Sequence, residues 1–407
     1  MRKKVSKIPK DIRLFLGAVA LIGFSQAVYN SVFNNFLNDT FGISSLQRSI
    51  LELPRELPGF LVVFVSAFLF FMCSRRLAVL ALLLQGLGLI LIGSFSPQLS
   101  FMLAWLFIFS LGQHIFLPLN FSIGMGLARE GAVGKRLGQF SGVTNFAAIL
   151  GSFTVFLGFS YFRFNFTTAF LLAAGVSFCA AGLLFFMKPD KPQHLKVRLK
   201  LHKEYRLFYW LNILYGTRKQ IFLTFAPWVL VTVFKAPTRI LATLLPITGV
   251  IGIGFQPILG RAIDRLGEKA VLATEAVVLI FVCLGYGFSK IMFHGQAAFL
   301  AASLCFILDG MLISVSMARA TYLKKIAVDP EHVTPTLSMA TTIDHLFSIS
   351  VALLSGVIWF KLGYQYVFVF GALIAVANFF SVLKIKIPPG AIKGRDRAPA
   401  DLALGAD

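Results

Sequence analysis

Glu52, Arg55, Glu56, His114, Arg218, Lys219, Asp309, Asp344 and His345 all stand inside long apolar runs of the chain. These are side chains that bind organic ions, hold ligands or carry protons. The densest group is LELPRELPGF, Leu51 to Phe60, followed at once by LVVFVSAFLFFM. On a helix, positions 48, 52, 55 and 56 follow i, i+3/i+4 spacing, so Arg48, Glu52, Arg55 and Glu56 share one face. Arg55 can reach Glu52 within its own helix. Two readings stay open for this stripe of mixed sign. It is a self-neutralising ion-pair ladder, or one carboxylate carries a proton when Arg55 is displaced from it. Pro54 and Pro58 withhold hydrogen bonds from the carbonyls of Ile50 and Pro54, which predicts a bend.

Arg218 and Lys219 lie about eleven residues into the run FYWLNILYGTRKQIFLTFAPWVL, near its middle at about 1.5 Å rise per residue. A buried cation needs an anion. Either an acid of the protein such as Asp309 neutralises Arg218, or its planar fork of donors receives an anionic group of a ligand. Lys219 is expected to pair within the bundle. Asp309 serves equally as a cation partner or a proton site, and Asp344 is expected to be neutralised by Arg319, Lys324 and Lys325. His114 and His345 are hydrogen-bonded packing residues or proton relays. Asn30 and Asn34, one turn apart, offer neutral hydrogen bonds to a ligand or between helices. These considerations select Arg55, Arg218, Asn30, Asn34 and His114 as candidate substrate-binding residues. Glu52, Glu56 and Asp309 are the candidate proton sites.

The elements that must position these groups follow from composition. Of 407 residues, 57% are hydrophobic and 14% charged, against about 45–50% and about 25% in soluble domains. The apolar residues fall in blocks of about 20–28, each long enough to cross a hydrocarbon core of about 30 Å as a helix. About twelve such spans are predicted, over residues 14–36, 46–72, 77–95, 98–126, 138–160, 165–187, 207–233, 238–260, 271–289, 296–321, 337–360 and 363–384. The alternation of a membrane β-barrel is not visible. The fold class is therefore an all-α polytopic membrane protein.

The net charge of +21 does not indicate nucleic-acid binding. Most Lys and Arg residues fall in the two tails and the even-numbered connections, whereas Arg163, Lys235, Arg239, Lys290 and Lys361 account for the basic residues of the others. That bias places both termini in the cytoplasm, and the plasma (cell inner) membrane is the expected location. Cys73, Cys179, Cys283 and Cys305 show no pairing or metal-like spacing. With no nucleophile constellation, nucleotide motif or metal cluster in view, no enzyme activity, cofactor or metal is assigned.

The one long internal break, KPDKPQHLKVRLKLHKEYR, divides the chain into residues 1–188 and 207–387, each with six spans, joined by a basic cytoplasmic linker at 189–206. A Pro-, Gly- and charge-rich tail at 388–407 is predicted to be disordered. FGISSLQRSILELP (41–54) aligns with FKAPTRILATLLP (234–246), an internal duplication typical of secondary transporters. Pro246 occupies the place of Pro54, which predicts a bend common to both halves.

GRAIDRLGEKAVL, Gly260 to Leu272, resembles the cytoplasmic loop motif GxLxDRxGRKxxL of the major facilitator superfamily (MFS). Gly260, Asp264, Arg265, Gly267 and Lys269 match, while Glu268 replaces an Arg. The equivalent loop of the first half, FLFFMCSRRLAVL, has Phe68 and Met72 where the motif has Gly and Asp. The fourth span lacks the Arg of the proton-coupling motif, and the fifth lacks the GPxxGG run of many antiporters. The resemblance implies two pseudo-symmetric six-helix bundles rocking around a midplane site, with Asp264 and Arg265 as gating residues. It also implies that the third and sixth helices of each half are scaffold. The charges agree, because the spans expected to line a cavity carry the ionisable residues named above. The function expected is secondary active transport of a small organic solute, an anion or an amphiphile, by a monomer coupled to protons across the lipid bilayer. A non-transporting membrane sensor or assembly subunit on the same scaffold is the alternative.

Overall fold

The computed structural model describes residues 9–68, 72–128, 133–189, 201–329 and 332–386. The N-terminal basic tail up to residue 8, most of the linker assigned to 189–206, and the tail at 388–407 lie outside the described residues, as does part of the degenerate first loop motif. Apart from two short 3-10 turns, Lys203–Tyr205 and Ile313–Val315, the regular elements among the described residues are α-helices. They are α1 (Lys10–Phe41), α2 (Ser45–Ile50), α3 (Glu52–Phe68), α4 (Ser74–Ser94), α5 (Leu99–Gly126), α6 (Val133–Tyr161) and α7 (Phe166–Phe185). After the linker follow α8 (Arg206–Thr232), α9 (Thr238–Met292), α10 (Gly295–Leu312), α11 (Ser316–Ile326), α12 (Val333–Leu362) and α13 (Tyr364–Val382).

Nine helices of the described residues are long and apolar enough to cross a membrane. The run α9 holds two spans, because Gly267 breaks it with φ 82° and ψ 164°, a conformation essentially restricted to glycine. With α2–α3 and the charge-bearing α8, each of the twelve expected spans corresponds to helix among the described residues. Local chemistry sets the ends. Gly42 caps α1 in the left-handed region, its N–H bonding Asn38 O at 2.9 Å. Ser44 and Gln47 form a reciprocal capping box at the start of α2. The interruption between α2 and α3 at Leu51 coincides with the carbonyl bond that Pro54 cannot supply. At the equivalent place in the second half, α9 continues as a helix through Pro246.

In the first half α1 packs on α6 and α7, and α4 on α5 and α7; in the second, α13 packs on α8 and α9, and α10 on α9. Contacts between the halves are made by α6 with α9, α12 with α2 and α3, and α1 with α8 and α9. The cores are asymmetric along the bundle. At the end holding the α1–α2 turn, Trp228 and Ala242 of the second half are buried in the same cluster as Val32, Phe36 and Leu37 of the first. At the opposite end, the cluster around Phe15, Leu82 and Ile123 is separate from that around Phe208, Leu259 and Leu323. The Asn35 side-chain amide donates to Ala236 O at 2.9 Å, and Gly356 of α12 lies directly against Ser49 of α2. One end of the interface is closed.

Candidate functional site

Between the halves lies a cavity of about 570 Å³, within the ~300–1,000 Å³ usual for small-molecule sites. Its walls come from α1, α3 and α5 on one side and α8, α9, α10 and α12 on the other. Asn30, Asn34, Arg55, Glu56, His114 and Asp309, six of the residues singled out from the sequence, line it, as do Lys219, Asp344 and His345. Tyr29, Phe33, Phe222, Leu223 and Phe306 add an aromatic and apolar surface.

The stripe of α2–α3 is a connected ladder. Arg48 reaches Glu52 at 2.7 Å, and Arg55 reaches Glu52 at 2.8 Å and Glu56 at 3.3 Å. Arg48 also donates to Asn34 Oδ1 at 3.3 Å. Glu52 is fully buried beneath the cavity wall, whereas Arg55 and Glu56 keep partial exposure to it. The ladder continues across the interface. Gln220 of α8 donates to Glu52 at 2.8 Å, and His345 of α12 lies 2.8 Å from Glu56. Hydrogen bonds to charged groups contribute about 1.5–3 kcal/mol each, so these two contacts bind the halves together at the level of α3. Neither Gln220 nor the His345–Glu56 pairing was evident from the sequence. Both depend on how α8 and α12 approach α3.

The second half neutralises its own cations. Arg218 Nη1 bonds Asp309 Oδ1, and both groups are buried. Asp309 faces the cavity while Arg218 sits behind it, in a small cleft with Tyr215 and Glu275. Its Nε and Nη2 have no hydrogen-bond partner in this arrangement. Lys219 pairs with Asp344 at 2.8 Å. Asp344 was expected to meet Arg319, Lys324 and Lys325 instead. Arg319 holds Glu275 through two bonds of 2.9 and 3.1 Å, and Lys325 holds Glu268 at 2.7 Å. Gly216 explains the exchange, because a Cβ there would collide with the Asp344 carboxylate. Its absence lets α12 bring Asp344 up to α8.

His114 Nδ1 lies 2.9 Å from Ser110 O and 3.0 Å from Ser110 Oγ. Gly59 leaves room for His114 and His345 to meet, with ring centroids 5.0 Å apart. Although the sequence suggested no metal ligands, Glu56, His114 and His345 converge here. Their positions 56, 114 and 345 carry no local spacing that could reveal this. Asp264 and Arg265 are far from the cavity, exposed on the last turn before Gly267. Beyond that break, buried Glu268 fastens the turn to α11 through Lys325, and Lys269 donates to Leu383 O at 2.7 Å.

A family model described as Major Facilitator Superfamily matches residues 15–327. Curated protein sequences give no match. Among solved structures, the nucleoside transporter NupG superposes with a TM-score of 0.73 over 92% of this chain and 100% of its own, at 13% identity. An auto-inhibited peptide transporter of the POT family gives 0.74 over 94% and 98%, at 12% identity. The inward-open xylose transporter XylE from E. coli gives 0.68 over 93% and 96%, at 15% identity. Such identities establish a common fold and leave the ligand undetermined. Matched over most of its length, with the helical architecture of these neighbours, the chain belongs to the Major Facilitator Superfamily of membrane transporters.

Proposed function

We propose that the protein is a secondary active transporter that moves a small organic solute by alternating access, driven by protons. The observation that carries this reading is the cavity between two halves whose cores join at one end only. Residues 1–188 and 207–387 are the rocking units, linked by 189–206, and the chain works as a monomer in the plasma membrane. With both termini cytoplasmic, the closed end is the outer one and the cavity faces inward. Asp264 and Arg265 act at the cytoplasmic gate, next to the turn that Glu268 and Lys325 fasten.

The solute is small, amphiphilic and without large net charge. Arg55 and Lys219 already hold carboxylates, while Asn30 is exposed to the cavity beside the aromatic surface of Tyr29 and Phe33. Of the three carboxylates considered, Asp309 is the proton carrier. Protonating Glu52 sacrifices bonds to Arg48, Arg55 and Gln220, and protonating Glu56 those to Arg55 and His345. Asp309 has Arg218 as its one ion-pair partner among the described residues and faces the cavity. A proton there releases Arg218 and loosens α8 from α10, which gives proton binding a mechanical consequence.

The test begins with a ligand screen by thermal shift on the purified protein, followed by flux into proteoliposomes under an imposed pH gradient. Accumulation of the ligand with proton movement supports the reading. Ligand binding without movement of ligand or protons would overturn it and favour a sensor.

A further inference from the structure

We propose that Glu56, His114 and His345 form a binding site for a divalent transition-metal ion of zinc type, bridging the two halves across the cavity. One ligand atom from each residue lies within 4.8 Å of those of the other two. Two imidazoles and a carboxylate are a donor set suited to zinc and its neighbours, whereas magnesium and calcium take oxygen ligands. Tetrahedral zinc with bonds of about 2.0–2.1 Å puts its donors roughly 3.4 Å apart. The three side chains therefore need to close by about 1.4 Å at most, within reach of side-chain torsions.

Contacts around the three side chains support the assignment. His114 Nδ1–H donates to Ser110 O at 2.9 Å, the kind of contact that fixes the tautomer of metal-binding histidines and leaves Nε2 free to ligate. Gly59 is the space that the rings occupy, since a Cβ there would lie 2.8 Å from His114 and 2.9 Å from His345. Arg55 stands 3.3 Å from Glu56, a neighbouring positive charge that opposes a cation. It is bound to Glu52 at 2.8 Å, however, and stays neutralised when Glu56 turns to the metal. The metal exchanges the His345–Glu56 hydrogen bond for two ligand bonds. Its fourth position opens on the cavity for water or a ligand atom. Because α3 and α5 supply two donors and α12 the third, the ion fastens the halves at this separation. The inference does not depend on which solute the protein moves, nor on proton coupling.

The experiment is calorimetric titration of the purified full-length protein, freed of metal by a chelator, with zinc alone. One ion per chain is expected. Glu56→Gln, His114→Ala and His345→Gln should each weaken binding at least about tenfold. His345→Gln keeps an amide able to bond Glu56, so its effect separates loss of ligation from loss of packing. His202 and His332, whose rings lie 4.0 Å apart elsewhere, serve as the control, and the double change to Ala should leave the affinity unaltered. Cobalt in place of zinc should give the visible absorption of a tetrahedral nitrogen–oxygen site, absent from His345→Gln. No saturable binding of one ion per chain would overturn the proposal. Unchanged affinity in any of the three ligand variants, or loss of binding in the His202/His332 variant, would also overturn it.

Discussion

Gly356→Leu tests the closed end of the bundle. Gly356 and Ser49 bring α12 and α2 into direct contact, and a side chain at 356 would occupy the space of the Ser49 Cβ and Oγ. Forcing extra atoms into a packed interface costs about 1–3 kcal/mol. That penalty falls on the arrangement in which α2 and α12 touch and disappears when they separate. The equilibrium between closed and open ends should therefore move by roughly 5–150-fold toward the open one. Ala242 reports on this, being fully buried in the core shared by the halves at that end. In a background with the four native cysteines replaced, Ala242→Cys should react slowly with a membrane-impermeant maleimide. Adding Gly356→Leu should raise the rate several-fold or more. An unchanged rate in a protein that elutes as a folded species would refute the reasoning that this contact is a gate.

Two further substitutions probe the charge pairs. Glu52→Gln leaves Arg48, 1% exposed, without its carboxylate, and removal of one partner from a buried pair costs about 3–5 kcal/mol. The purified variant should melt well below the parent in detergent, and an unchanged melting temperature would contradict the ladder. Gly216→Ala should displace Asp344 from Lys219. Both side chains are about one-fifth exposed, so the loss should be smaller, about 1–3 kcal/mol, between exposed and buried pairs. A Gly216→Ala variant as stable as the parent would show that Asp344 does not depend on the missing Cβ.

Much of the fold was legible because a hydrocarbon solvent constrains it so strongly. Span length and the apolar character of the blocks follow from local sequence alone, as does the division between residues 260 and 271 within which the Gly267 break falls. The Arg48–Glu52–Arg55–Glu56 ladder was equally legible, since spacings of four and three residues bring Arg48, Glu52 and Arg55 together across the α2–α3 junction, with Glu56 next in the chain. Pairings across helices were legible only as alternatives, such as Asp309 or a ligand anion for Arg218. Arg218 and Asp309 are 91 residues apart in the chain, and Lys219 and Asp344 are 125 apart. The sequence lists the acids and bases available, but the crossing of α8 with α10 and α12 decides which of them meet. Asp344 illustrates this, because its partner was set by the missing side chain of Gly216 rather than being Arg319, Lys324 or Lys325. Gln220 was equally hidden, as a neutral residue beside two cations that drew attention first. The convergence of Glu56, His114 and His345 needed three helices and Gly59 to be placed together.

In the proposed transport cycle, Asp309 couples proton movement to the rocking of the two halves. Asp309→Asn in proteoliposomes, with a ligand identified by thermal shift, tests it most directly. The variant should still exchange labelled for unlabelled solute across the membrane but should no longer accumulate solute under an imposed pH gradient. Gradient-driven accumulation equal to that of the parent would contradict the account.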